Sequence, residues 1–183
     1  MRLAGKVVVI TGGARGIGGA TAARCAAEGA AVVIGDLLAA EGEATVAAVT
    51  AAGGRARFVG TDVTDEGQCR RLVGTAVEEF GRLDVLITCA GVLQGDWTPV
   101  DELDDAIFSR VVDINLRGSF LAVKQAVPHL PQPGGVVLCL ASGAGVRGGS
   151  SSVAYGSSRG GVHGLSLVLA GQLARRGVRV HGG

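Results

Sequence analysis

The stretch KVVVITGGARGIG, Lys6 to Gly18, decides how the rest of the chain is read. KVVVIT is a short β-branched run, apolar almost throughout, as a strand buried on both faces requires. The next segment, GGATAARCAAEG, has helical composition and stops at Gly29. Glycines alone are a weak signal, but glycines set between a strand and a helix predict a phosphate cradle. Gly12, Gly16 and Gly18 let backbone approach a pyrophosphate, and the helix N-terminus offers N–H groups and a positive dipole end. The competing reading is an ordinary glycine-rich turn, which the strand before and the helix after disfavour.

The alternation continues outward. AAVVIGD (residues 30–36) predicts a second strand, and AAEGEATVAAVTAAGG predicts a helix ending at Gly53 and Gly54. RARFVGTD predicts a third strand. TDEGQCRRLVGTAVEEFG predicts a helix with a Thr/Asp cap and a Gly81 stop. LDVLITCAG is a fourth strand, and one helix is expected from about 101 to 130, halted by Pro131 and Pro133. GVVLCLAS is a fifth strand, a last helix is expected over about 154–176, and VRVH begins a sixth strand. Strands alternating with helices of this length mean βαβ units around a parallel sheet. No linker or charge block divides the 183 residues, so a single domain is expected over 1–183.

Composition narrows the function. The net charge is +1 with scattered basic residues, which gives no electrostatic case for nucleic acid or a membrane surface. No segment reads as a signal peptide or membrane span. Four well-separated cysteines without a CxxC pair read as buried free thiols, and a cytoplasmic setting is expected. His129, His163 and His181 have no metal-ligand spacing, so no metal is expected.

Asp36 ends the second strand eighteen residues after Gly18. A carboxylate there accepts hydrogen bonds from adenosine ribose hydroxyls and repels a 2′-phosphate, which favours NAD over NADP. Arg15, inside the glycine loop, pulls weakly the other way.

The T-G-x-x-x-G-x-G spacing of Thr11–Gly18 resembles the short-chain dehydrogenase/reductase family. Further matches follow in order: TDVTD at 61–65, TCAG at 88–91, VVDINLRGSF at 111–120, LCLASGAG at 138–145 and YGSSR at 155–159. The resemblance runs from about residue 5 to 181. It implies a Rossmann-type doubly wound α/β fold and an oxidoreductase moving hydride between nicotinamide and a small-molecule secondary alcohol or ketone. It assigns the cofactor to Thr11, Gly12, Arg15, Gly16, Ile17, Gly18, Asp36, Asp62, Val63, Ala90, Gly91, Tyr155 and Arg159. It assigns catalysis to Asn115, Ser142, Tyr155 and Arg159. Ser142 would hold the substrate oxygen, Tyr155 would be the acid/base, and Asn115 would support a water chain. A free phenol ionises far above neutral pH, so it needs a nearby cation, and position 159 lies on the same helix face as Tyr155. The family's dimer contacts imply a homodimer through the helices at 101–130 and 154–176. Trp97 is open between lining the substrate pocket and packing on the sheet edge.

Three departures accompany the resemblance. Arg159 stands where the family has lysine; it keeps the charge but cannot lend its proton, and slower chemistry is expected. Thr88 and Cys89 replace two asparagines. The chain stops at VRVHGG, so the last strand and the C-terminal substrate lid are expected to be absent, with Gly182 and Gly183 reading unlike a continuing strand. The alternatives to an active oxidoreductase are a nucleotide-binding pseudoenzyme and a truncated fragment.

Overall fold

The computed structural model describes residues 1–183. Six strands form one parallel sheet: β1 (Val7–Thr11), β2 (Ala31–Asp36), β3 (Arg55–Gly60), β4 (Val85–Thr88), β5 (Val136–Cys139) and β6 (Arg179–Gly182). Their spatial order is β3-β2-β1-β4-β5-β6, so the winding reverses between β1 and β4. Ligands of such sheets sit outside the carboxyl ends of the strands at that reversal.

Helices cover the two faces. On one side α1 (Gly16–Ala27) and α2 (Ala39–Ala51) place Ala22, Ala26 and Val49 on Val8, Ile10, Val32 and Ile34. On the other, α3 (Glu66–Phe80), α5 (Gly118–Ala126) and α7 (Val153–Ala174) bury Leu72, Val123 and Val162 against Val7, Val9, Val33 and Leu86. Alternating strand residues thus feed two separate cores. Where the α1–α2 layer stops, Leu138 on β5 is left 36% exposed.

The expected caps are present. Asp65 accepts from the Gln68 N–H at the start of α3, and Gly81 closes it in the left-handed conformation. The single helix expected over 101–130 is instead divided. Asp104 caps α4 (Asp105–Val112), a π-turn spans Asp113–Arg117, α5 follows, and a short 3₁₀ turn covers Val127–His129. From the first turn of α5, the Ser119 hydroxyl donates back to the Asn115 carbonyl of the π-turn at 2.7 Å. Gly118 packs so closely on Val63 that a Cβ there would clash. A short helix, α6 (Ala144–Arg147), follows β5 and was not expected. Gly182, expected to read unlike a strand, pairs with Cys139 in β6; a Cβ there would strike the Ser166 hydroxyl.

Candidate active site

A cleft of about 1030 Å³ opens at the carboxyl ends of the strands. Its floor is built from the segments that leave β1, β2, β3 and β4. Gly12 leaves β1 with φ at 68°, and a Cβ there would lie 2.5 Å from the Ala90 nitrogen. Gly18 rests on the Gly12 carbonyl, where any side chain would collide. No side chain caps α1 and no acid stands in its first turn, so its leading N–H groups are left for a ligand. Arg15, Ile17 and Gly18 line the cleft, while Gly16 shapes the turn with φ at 57°.

Asp36 lines the cleft at the tip of β2. Its carboxylate accepts from the Ala14 N–H at 3.0 Å and the Leu38 N–H at 3.1 Å, which fixes its direction. Asp62 and Val63 line the neighbouring wall, with Asp62 accepting from the Thr64 N–H and hydroxyl. Thr11 does not line the cleft. It is buried, and its hydroxyl accepts from the Ala90 N–H at 3.4 Å, so it ties the end of β1 to the segment after β4.

Tyr155 and Arg159 face the cleft from the first turns of α7. The helix starts there because Ser152 accepts from the Tyr155 N–H. The Arg159 carbon Cζ stands 5.3 Å from the centre of the Tyr155 ring. Its Nη1 donates to the Leu140 carbonyl at 2.6 Å, and its buried Nε has no partner. The guanidinium lies over Gly91, where a Cβ would overlap it. The residue is only 4% exposed, an unusual setting for a cation, so its charge is held against the phenol ring.

Asn115 stands differently from expectation. Its Nδ2 donates to the Val92 carbonyl and the Ser158 hydroxyl, and its Oδ1 accepts from the Val92 N–H, all at 2.8–2.9 Å. Both amide hydrogens are used, so the side chain clamps the segment after β4 to α7. Ser142 accepts from the Ala144 N–H at 3.2 Å and does not line the cleft. Cys89, where the family has asparagine, lines the cleft as a neutral thiol, since burial pushes it up to about 11 despite Arg159. Beside it, the buried Thr88 hydroxyl has no partner.

Several site residues were not foreseen. Leu140 and Ser158 act through partners distant in sequence, and only their positions inside quoted motifs hinted at them. Ser109 and Arg110 on α4 and Asp113 and Arg117 in the π-turn form one cleft wall.

The family model described as short chain dehydrogenase matches residues 6–182. A cis-4-hydroxycyclohexanecarboxylate dehydrogenase from Sinomonas cyclohexanicum is 43% identical over 178 residues, 96% of this chain and 70% of that protein. An uncharacterised oxidoreductase from Methylorubrum extorquens is 39% identical over 98% of this chain and 72% of its own length. A levodione reductase structure superposes with a TM-score of 0.93 at 38% identity, covering 99% of this chain and 71% of that one. The ordered motifs, the β1–β4 reversal and these relatives together place the chain in the short-chain dehydrogenase family.

Proposed function

We propose that the chain is an oxidoreductase that uses a nicotinamide cofactor, NAD in preference to NADP, to interconvert an alicyclic secondary alcohol and its ketone. The observation that carries this is one cleft holding three features: the uncapped α1 end, the Asp36 carboxylate and the Tyr155–Arg159 stack. The donor set fits the cofactor. Uncapped N–H groups and Arg15 suit a pyrophosphate, and Gly12 and Gly18 let the turn close on Ala90 and on itself, which holds those N–H groups at the cleft. Asp36 would accept from the adenosine ribose hydroxyls, and its charge opposes a 2′-phosphate. Asp62 and Val63 would flank the adenine, and Ala90 and Gly91 would border the nicotinamide half. The alicyclic ring is suggested by the substrate named for the Sinomonas relative.

When bound, the cofactor supplies the hydride-carrying ring. Tyr155 Oη exchanges the proton with the substrate oxygen; Ser142, whose hydroxyl sits on the Ala144 N–H outside the cleft lining, would have to turn inward to orient that oxygen. Arg159 holds a permanent positive charge over the phenol ring but passes no proton, so Tyr155 is recharged from water in the open cleft. Asn115 keeps Val92 and α7 in register around that pair. A nucleotide-binding chain without turnover is the second reading, favoured by the attachment of Arg159 to the Leu140 carbonyl. The four free thiols suit a reducing compartment, and we place the protein in the cytoplasm on that ground. Phe120 on α5 and Leu167 and Val168 on α7 are exposed, which supports a homodimer through these helices.

The test is NAD reduction by the purified chain with cyclohexanol-type alcohols. The proposal expects turnover that falls about a hundredfold or more in Tyr155→Phe. Cofactor binding with no turnover on any alcohol would favour the second reading.

A further inference from the structure

Both backbone groups of Tyr155 are held by serine hydroxyls. Its N–H donates to Ser152 Oγ at 3.2 Å, and its carbonyl accepts from Ser158 Oγ at 2.9 Å. Each serine is tied in turn to the segment after β4. Ser158 accepts from the Asn115 amide that grips Val92, and Ser152 Oγ donates to the Gln94 carbonyl at 2.5 Å. Leu93, between those two points, lines the cleft. Two short chains of hydrogen bonds thus run from one wall of the cleft to the two ends of a single residue.

Ser152 does more than cap α7. A capping serine needs only to accept, and a hydroxyl has one proton to give. That of Ser152 goes to Gln94 while the oxygen receives the Tyr155 N–H. The residue is 1% exposed, so neither bond is shared with water. Its own backbone is fixed as well: its N–H donates to Ser150 Oγ at 3.2 Å, and Ser150 Oγ donates to its carbonyl at 2.9 Å. Neighbouring ties join the same two segments, from the Ser151 hydroxyl to Asp96 and from the Trp97 N–H to the Ser151 carbonyl. Trp97 itself is 86% exposed and neither lines the cleft nor packs on the sheet edge.

The consequence lies at the phenol. Tyr155 Oη is at the far end of a long side chain, so a small turn of the backbone carries it a large distance. Misplacing a reacting group by about 1 Å costs about a hundredfold in rate. We infer that Ser152 is a positioning residue for Tyr155: by joining the Gln94 carbonyl to the Tyr155 N–H, it sets where the phenol stands in the cleft. This rests on the oxidoreductase reading above and deepens it.

Tyr155 is the sole tyrosine, so 3-fluorotyrosine enters the full chain at one place and gives a single fluorine resonance. Ser152→Gly removes the hydroxyl but leaves a residue that helices accept at this position with little loss, whereas Ser152→Thr keeps the hydroxyl. With saturating NAD and cyclohexanol, kcat is expected to fall about tenfold in Ser152→Gly while the KM for NAD stays within about twofold, and Ser152→Thr is expected to regain most of the loss. The fluorine resonance is expected to move or broaden in Ser152→Gly and to return to the parent position in Ser152→Thr. A Ser152→Gly chain that melts cooperatively with parental kcat and an unmoved resonance makes the residue a cap only and overturns the inference. If Ser152→Gly does not melt cooperatively, amide exchange in the parent decides: a slowly exchanging Tyr155 N–H supports the tie, and exchange at the rate of an open chain overturns it. If neither NAD nor NADP raises the parent Tm, the oxidoreductase reading fails, and the fluorine resonance alone decides Ser152.

Discussion

Arg159 reaches the Leu140 carbonyl with Nη1 while its Cζ stands over Tyr155, so one side chain both tethers β5 to α7 and places charge on the phenol ring. Arg159→Ala removes the charge and leaves a space over Gly91; kcat is expected to fall about a hundredfold, read by steady-state NAD reduction. Arg159→Lys gives up the Leu140 tether but restores a cation able to pass a proton, and its kcat is expected to exceed that of the parent. Gly12→Ala combines a positive φ with a Cβ 2.5 Å from the Ala90 nitrogen; a loss of about 2–3 kcal/mol is expected from urea denaturation. The positions of Tyr155, Arg159 and Asn115 were legible from ordered motifs and from i,i+4 spacing. What they touch was not. Leu140, Val92 and Ser158 are brought to them by the sheet and by α7, and no local pattern encodes such partners.

At the scale of elements, β1, β2 and β4 were legible because each is a short, largely β-branched run buried on both faces, which leaves no alternation to misread; the edge strands β3 and β6 are mostly exposed and were legible from their place between helices and turns. The α4–α5 region was not. Its composition is helical throughout, so nothing in the pattern announces that Asp113–Arg117 winds as a π-turn. Such turns aim a side chain that a regular helix would point elsewhere. Here the side chain is Asn115, with three hydrogen bonds to Val92 and Ser158. Asn115→Ala leaves the Val92 N–H and carbonyl without those partners, and a loss of about 2–4 kcal/mol is expected in urea denaturation. Asn115→Asp keeps one acceptor and discards both donors, so its loss should be comparable. Full stability in either variant would mean that the clamp contributes nothing.

Across the whole molecule, Asp84 joins the amino ends of the strands opposite the cleft. Its nearly inaccessible carboxylate accepts from the Val7 N–H, Lys6 and Arg82. Burial pushes this carboxyl upward, but Arg82, the Val7 N–H and Lys6 together hold it below its ordinary value. A depressed folded pKa adds stability above the unfolded value near 3.9, and that stability is lost as pH falls through the folded value. Tm should therefore hold between about pH 7 and pH 5 and drop below about pH 4. Asp84→Asn should lower Tm at neutral pH and flatten the acid slope. The parallel sheet and both helix layers followed from the alternation of strand and helix, and the doubly wound order from the family resemblance; the incomplete cover over Leu138 did not, because it depends on which elements lie side by side. The central claim is that this assembly holds a nicotinamide cofactor at the β1–β4 reversal. Its most direct test is the melting temperature of the full chain alone, with NAD and with NADP. Saturation at a hundred times Kd adds about 2.7 kcal/mol to a folded state that binds. A clear rise with NAD and a smaller one with NADP is the predicted result; no shift with either would contradict the account.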